Sequence, residues 1–205
     1  ASFDSYDDVA VGGDVVALIR HLDGPAVIVG NSMGAGASAW AAAESPADVA
    51  GLVLIGPFER NPPTSRLALL AFRLSLLRPW GRYAWKAYYG SQYRSHRPPD
   101  LADHINRLDR SLRRPGHWQA FANTTHTSHA SVEARLSQVS APTLVIMGDH
   151  DRDFSDPAGE ARTVAERLGG EILLVPGAGH YPQAEQPDVI VPAIVSFARR
   201  VTADG

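Results

Sequence analysis

The residues whose types and spacing predict covalent chemistry in this chain lie in a short glycine-rich turn. The pattern Gly-x-Ser-x-Gly spans residues 30–34, directly after the apolar run 27–29 and before an Ala-rich helical segment. This order places the hydroxyl of Ser32 at an exposed apex, with a helix N-terminus behind it that stabilises negative charge. We expect Gly30 and Gly34 to let strand and helix approach closely, because glycine has no side chain. The alternative is a structural turn with an incidental serine.

A serine nucleophile needs a base to take its proton, and the base needs a partner to fix its tautomer. Imidazole suits the base role because its pKa lies near neutrality. Asp151 follows the apolar run 143–147, and His180 follows the run 172–175. Functional groups of an open α/β sheet collect beyond the carboxyl ends of its strands. We therefore expect Ser32, Asp151 and His180 to meet there, in the chain order typical of this motif.

Other interpretations of these residues stay open. Asp149 and Asp153 lie in the same loop as Asp151 and compete with it as the acid, although both are also typical turn-capping residues. For His180 the alternative is a packed loop histidine.

The elements that must position these groups alternate along the chain. Four apolar runs without polar alternation predict buried strands at 26–29, 52–55, 143–147 and 172–175. Amphipathic patterns predict helices at 9–22, 157–168 and 189–200. Strands of this kind separated by helices predict an α/β fold, a mostly parallel, doubly wound sheet covered on both faces.

The alternation breaks between residues 60 and 140, which contain helical patterns and no convincing strand. We expect a helical cap at 59–136, inserted into a core formed by 1–58 and 137–205. Aromatic residues are concentrated in this region and more often build a core, but some could line an apolar pocket above the serine. The candidates for that lining are Trp80, Trp85, Tyr88, Tyr89 and Trp118. Three arginines, Arg73, Arg78 and Arg82, face either a substrate carboxylate or solvent.

Three motifs together resemble those of α/β-hydrolase-fold proteins: the turn at 30–34, the segment 142–151 that ends in the acid, and the segment 177–182 around the histidine. The resemblance covers nearly the whole chain. It implies the α/β-hydrolase type of sheet, and it favours Asp151 as the acid because Asp151 stands third after Gly148.

The resemblance also implies a mechanism. Ser32 would attack a carbonyl, His180 would move the proton, Asp151 would orient His180, and the backbone N–H of Met33 would donate into an oxyanion hole. The turn sequence and the cap are similar to those of carbon–carbon bond hydrolases and related esterases. The expected function is thus a cofactor-free serine hydrolase for a small, largely apolar ester or ketone-type substrate. The alternatives are a non-catalytic ligand-binding protein of this fold and an inactive, truncated chain.

One departure from the family pattern concerns the start of the chain. The family's sheet has strands before the serine strand, and no segment before Val9 has a strand pattern. We therefore expect missing N-terminal strands and an exposed, apolar outer edge on the strand at 26–29.

Composition and charge limit the partners, the chemistry and the location that the sequence predicts. The 205 residues, 44% of them hydrophobic, are enough for one core. A net charge of −3 without a dense basic run argues against a nucleic-acid partner, and the absence of cysteine excludes disulfides and thiolate catalysis. The most apolar window, 67–77, is too short to span a bilayer, and no signal peptide opens the chain. We expect a cytoplasmic location.

A metal site is not expected either. The cap contains five histidines, His96, His104, His117, His126 and His129. Their spacing fits no compact ligand set except for His126 with His129, and that stretch carries no acidic residue. We expect these histidines to lie at the surface or to pack.

Overall fold

The structure, a computed structural model, describes residues 3–61 and 66–203. Within these residues the strands are Ala26–Asn31 (β1), Val49–Ile55 (β2), Thr143–Gly148 (β3) and Glu171–Val175 (β4). The helices are Asp8–His21 (α1), Met33–Glu44 (α2), Arg66–Ser75 (α3), Gly81–Ser91 (α4), Leu101–Leu112 (α5), His117–Thr124 (α6), Ala130–Glu133 (α7), Pro157–Leu168 (α8), Pro182–Glu185 (α9) and Pro187–Ala203 (α10). All four predicted strands are present.

The strands form one parallel sheet in the order β1-β2-β3-β4. Because every strand points the same way, all the carboxyl ends lie at one edge of the sheet. The residues that follow β1, β3 and β4 therefore lie on the same side of the molecule, as the sequence predicts.

Alternate residues of β2 show that both faces of the sheet are covered. Leu52 and Leu54 belong to one buried cluster with residues of α1, α2 and α8. Val53 and Ile55 belong to a second buried cluster, together with Phe197 of α10. A strand buried on both faces has no polar alternation, which explains the continuous apolar runs.

Residues 56–61 and 66–142, between β2 and β3, contain helices and no strand. Leu76, Leu112 and Trp118 form a third apolar cluster, apart from the two that cover the sheet. This segment thus has a small core of its own, as expected for an inserted cap, while the exact boundaries 59–136 stay a prediction.

Strand β1 lies at one edge of the sheet and pairs only with β2 among the described residues. Val29, in the middle of this strand, is 50% exposed. The apolar edge that the sequence predicts is therefore present. Of the helices within 3–61 and 66–203, none combines the length and the apolar character that a bilayer crossing requires.

Candidate active site

Ser32 occupies a strained turn between β1 and α2. Its backbone angles, φ 59° and ψ −127°, lie in a region that favours glycine, and other residues adopt it only where the surrounding structure holds them there. The N–H of Ser32 donates to the carbonyl oxygen of Ile55 at 2.9 Å, which fixes the apex to the end of β2. Its carbonyl oxygen accepts from the N–H of Ala35 at 3.0 Å, which begins α2. The turn has the conformation that the sequence pattern predicts.

Gly30 makes the close approach of strand and helix possible. A Cβ atom at Gly30 would lie 2.5 Å from the carbonyl oxygen of Gly34 and 2.7 Å from the Cα of Ala35. The same expectation for Gly34 is wrong, because a Cβ there would meet nothing within 4 Å and would face open space. The second close approach is instead at Gly36, where a Cβ would lie 2.5 Å from the carbonyl oxygen of Phe58.

His180 and Asp151 form a buried hydrogen-bonded pair. The Nδ1 of His180 lies 2.7 Å from the Oδ2 of Asp151, and both side chains are almost wholly buried. Asp151 follows β3 and His180 follows β4, so the pair forms where two neighbouring strands end. The carboxylate fixes the Nδ1–H tautomer and leaves Nε2 to exchange a proton with another group.

The pair sets the acid–base properties of His180. Burial alone would lower the pKa of the imidazole, because it penalises the charged form. The hydrogen bond that His180 donates to Asp151 and the charges of Asp151 and Asp153 outweigh burial, so the pKa of His180 is raised above its usual value of 6.5. A base of this kind is stabilised in the protonated state that it reaches after taking a proton from a nucleophile.

The competing acids have other roles. Asp149 accepts a hydrogen bond from the N–H of Gly177 at 2.6 Å, so it caps the neighbouring loop as the alternative predicts. The Oδ2 of Asp153 lies 3.6 Å from the Nδ1 of His180, too far for a hydrogen bond. Asp153 instead accepts hydrogen bonds from the hydroxyl of Tyr88 and, at 2.7 Å, from the side-chain amide of Gln92. It therefore ties the acid loop to the end of α4.

Two residues that the sequence did not single out hold the histidine loop. The carbonyl oxygen of Gln92 accepts from the N–H of His180 at 3.1 Å. The buried carboxylate of Glu185 accepts from the N–H groups of Gly179 at 2.7 Å, Arg94 at 2.7 Å and Ser95 at 2.6 Å. The helical insertion thus fixes the position of the imidazole as well as covering it. No local sequence pattern indicates these contacts, because they join distant segments.

A cavity of about 660 Å³ opens above the turn. Ser32, Met33 and His180 contribute to its floor, while residues of α3, α4 and α6 line it from the helical insertion. Met33 is the first residue of α2, where backbone N–H groups have no carbonyl partner within the helix. No hydrogen bond joins the Ser32 hydroxyl to His180 among the described residues. Such bonds are often long in unliganded sites and shorten when substrate is bound.

Of the five aromatic residues expected to line a pocket, the structure places two at the cavity and three elsewhere. Trp85 and Tyr88 line the cavity. Trp118 is buried in the core of the insertion instead, and Trp80 is 51% exposed with its indole N–H bound to the carbonyl oxygen of Leu74. Tyr89 does not line the cavity and packs against the rings of Tyr93, His104 and Tyr181. Helical spacing alone did not show which side of α4 faces the site.

The histidines expected at the surface or in packing are distributed as follows. His96, His104, His117 and His126 are exposed, and His126 also lines the cavity. His104 stacks on Tyr89. His129 is buried, and its Nδ1 lies 2.7 Å from the Oδ2 of Asp8, an acid far away in the sequence. Among the described residues, one group has ligand atoms close enough to hold a metal ion. It consists of Asp151, Asp153 and His180, whose ligand atoms lie within 4.8 Å of one another.

The strand–turn–helix serine, the buried Asp–His pair at the neighbouring strand ends and the helical insertion define an α/β protein of the hydrolase type. The sequence model of the Alpha/beta hydrolase family matches residues 1–193, and the chain belongs to this family.

Individual relatives agree with this assignment. The chain is 30% identical over 203 residues to 2-(acetamidomethylene)succinate hydrolase of Mesorhizobium japonicum, a match that covers 94% of this chain and 71% of the relative. The fold is similar to that of 2-hydroxy-6-oxo-6-phenylhexa-2,4-dienoate hydrolase from a Rhodococcus strain, with a TM-score of 0.78, 19% identity, and coverage of 96% of this chain and 74% of that one. A thermophilic esterase from Thermogutta terrifontis superposes with a TM-score of 0.68 and 24% identity, over 96% of this chain and 74% of that one.

Proposed function

We propose that the protein is a serine hydrolase in which Ser32, His180 and Asp151 act as a catalytic triad. The observation that carries the proposal is that the strained Ser32 and the Asp151-bound His180 line one cavity at the carboxyl ends of the strands. A hydroxyl becomes a nucleophile when a base in reach accepts its proton, and His180 is the imidazole positioned for that step.

These positions support the following mechanism. Ser32 attacks a substrate carbonyl while His180 takes the serine proton, and Asp151 stabilises the imidazolium that results. The backbone N–H of Met33, unpaired within α2, donates to the oxyanion, and a donor of this kind contributes about 3 kcal/mol to transition-state stabilisation. His180 then returns the proton to the leaving group, and water releases the product.

The cavity and the relatives support a proposal for the substrate class. A volume of about 660 Å³ suits a small molecule, and Leu69, Phe72, Trp85 and Phe121 give it apolar walls. The relatives hydrolyse an acetamidomethylene succinate, a phenylhexadienoate and esters. We propose hydrolysis of a small ester or of a carbon–carbon bond next to a ketone, with the helical cap at 59–136 forming the pocket.

Several expectations about partners stay predictions. These are the absence of a cofactor, the absence of a nucleic-acid partner and the cytoplasmic location. The second candidate function is ligand binding without turnover on the same fold, because family membership alone does not settle the chemistry of a site.

Labelling with a fluorophosphonate probe tests the proposal, since the probe reacts with activated serines. We expect the probe to label the wild-type protein and not to label the Ser32→Ala variant. A folded wild-type protein that resists the probe would favour ligand binding without turnover. Hydrolysis of p-nitrophenyl esters of increasing chain length, alongside a vinylogous diketone, separates ester cleavage from carbon–carbon cleavage.

A further inference from the structure

Helix α3 carries apolar side chains on two opposite faces. Leu69 and Phe72 lie on the face that lines the cavity. Leu67, Leu70 and Leu74 follow one another at helical spacing on the other face, where they are 76%, 53% and 50% exposed. A helix that packs on one core needs one apolar stripe, so the second stripe indicates a contact that the fold itself does not supply.

The exposed apolar surface continues beyond the end of α3. The N–H of Leu77 donates to the carbonyl oxygen of Leu74 at 3.2 Å, and the indole N–H of Trp80 donates to the same oxygen at 3.0 Å. Both side chains are about half-exposed and lie beside the helix. We call Leu67, Leu70, Leu74, Leu77 and Trp80 the leucine face. Single exposed leucines are ordinary, but a contiguous group of this kind marks an interaction site.

The charges that accompany the leucine face have one sign. Residues 60–99 contain eight basic residues and no acid, although the whole chain has more acidic than basic residues. Some of these cations pair with acids from other parts of the chain, as Arg60 does with Glu160. Arg73, which also lines the cavity, and Arg78 are exposed and form no ion pair among the described residues. The leucine face therefore has positive charge beside it that the fold leaves unbalanced.

A surface with these two properties fits the surface of an anionic lipid bilayer. Leucine and tryptophan enter the boundary between headgroups and acyl chains, while arginine binds the anionic headgroups. With ten residues, α3 lies on such a surface and is too short to cross it. A second copy of the chain fits less well. A two-fold contact would place the leucine face on itself and bring the arginines of both copies together without an acid to balance them.

We propose that α3 and the turn to Trp80 bind an anionic lipid membrane, with the leucine face in the lipid boundary and Arg73 and Arg78 at the headgroups. The inference concerns a partner and does not need the nucleophile, so it goes beyond the hydrolysis proposed above. Because the opposite face of α3 lines the cavity, the bound protein holds the cavity about one helix diameter, roughly 10 Å, from the lipid.

Co-sedimentation with vesicles tests the inference without turnover. One set contains phosphatidylcholine and phosphatidylglycerol at about 3:1, and the other phosphatidylcholine alone; the wild-type protein is expected to bind the anionic set about tenfold more strongly or better. Leu70→Gln/Leu74→Gln is expected to weaken binding to the anionic set about tenfold or more, because it removes apolar area from the boundary while glutamine keeps the helix. Leu18→Gln/Leu22→Gln is the matched control, since these leucines have the same spacing and similar exposure at α1. It is expected to change neither binding constant.

A second variant tests the charges separately. Arg73→Gln/Arg78→Gln is expected to bring binding to the anionic vesicles within about twofold of binding to phosphatidylcholine alone. Tryptophan fluorescence shows which surface meets the lipid. Anionic vesicles are expected to shift the emission of the wild-type protein to shorter wavelength, and the shift is expected to disappear in Trp80→Phe.

Three vesicle results would overturn the inference: no binding of the wild-type protein to anionic vesicles, equal binding to both sets, or the same loss in the Leu18→Gln/Leu22→Gln control. Sedimentation velocity without lipid tests the second copy. A dimer that Leu70→Gln/Leu74→Gln converts to monomers would show that another molecule of this chain covers the leucine face instead. Ser32→Ala is expected to bind vesicles as the wild-type protein does. A protein that binds them but resists the fluorophosphonate probe would therefore refute the proposed reaction and leave this inference standing.

Discussion

The molecule contains two buried aspartate–histidine pairs with the same hydrogen-bond length, and they differ in the side chains that line the cavity with them. In both, Nδ1 lies 2.7 Å from a carboxylate oxygen. His180 lines the cavity together with a serine in a strained turn, whereas His129 lines it together with Thr124 and Thr125, whose hydroxyls donate to backbone carbonyl oxygens. The pair alone therefore does not define a catalytic site. The strained Ser32 at the same cavity is what distinguishes the pair that we propose to be catalytic.

The largest expected effect is a difference in kcat/KM between variants of the two histidines. His180→Ala is expected to lower kcat/KM for a neutral ester by about 10,000-fold or more, because the serine loses its base. His129→Ala is expected to leave kcat/KM for the same ester within about threefold, because the proposed mechanism uses the imidazole of His180 and not that of His129. Steady-state hydrolysis of p-nitrophenyl butyrate measures both. A similar loss in both variants would mean that the two pairs do not have different roles.

The next largest expected effect is a difference in kcat between variants of the two aspartates. Asp151→Asn is expected to lower kcat by about 1,000-fold or more, since it removes the charge that stabilises the imidazolium. Asp8→Asn is expected to leave kcat for a neutral ester almost unchanged, because it acts on the other imidazole. Circular dichroism of both variants checks that the fold is retained. A large fall in kcat for a folded Asp8→Asn variant would contradict the assignment.

A third buried acid, Glu59, differs from Asp8 and Asp151 because no base is hydrogen-bonded to it among the described residues. Glu59 is fully buried, neither of its oxygens has a hydrogen-bond partner, and burial, with the nearby charge of Glu160, raises its pKa to about 8. The unfolded chain releases this proton near the ordinary value of 4.5, whereas the folded protein keeps it until about pH 8. Between these values the unfolded state binds fewer protons, so stability falls as pH rises.

Glu59→Gln removes this proton and is expected to increase the free energy of unfolding at pH 8 by on the order of 3 kcal/mol. At pH 4, where both states hold the proton, the gain is expected to be small. Urea unfolding at the two pH values measures the difference, and Glu166→Gln, at an exposed glutamate, is the control. A gain that does not depend on pH would show that Glu59 is charged in the folded protein.

The smallest expected effect concerns the second acid beside His180. Asp153 helps to raise the pKa of His180, so kcat/KM is expected to rise with pH through a midpoint above 6.5 as the imidazole loses its proton. Asp153→Asn is expected to lower that midpoint by on the order of half a pH unit. Asp149→Asn is the control, because Asp149 caps the loop at Gly177. A shift of the midpoint to higher pH in Asp153→Asn would contradict the electrostatic account.

The sequence predicts the first pair and not the second, for a physical reason. Ser32, Asp151 and His180 each follow an apolar strand, and the parallel sheet brings the ends of its strands to one edge. Asp8 and His129 are 121 residues apart, at the start of α1 and in an irregular loop, and no periodic pattern joins them.

The sequence also does not predict how the aromatic side chains pack inside the helical insertion. Trp85 and Trp118 have similar local surroundings in the chain, yet Trp85 lines the cavity and Trp118 fills the core of the insertion. The direction of each ring depends on how α4 and α6 pack against their neighbours, which local periodicity does not determine.

The central claim is that Ser32 is activated by His180, and mass spectrometry of the fluorophosphonate adduct tests it most directly. Peptide mapping is expected to place the label on Ser32 in the wild-type protein and in the His129→Ala variant, and to find almost none in the His180→Ala variant. A label on another residue, or equal labelling of Ser32 with and without the imidazole at position 180, would contradict the account.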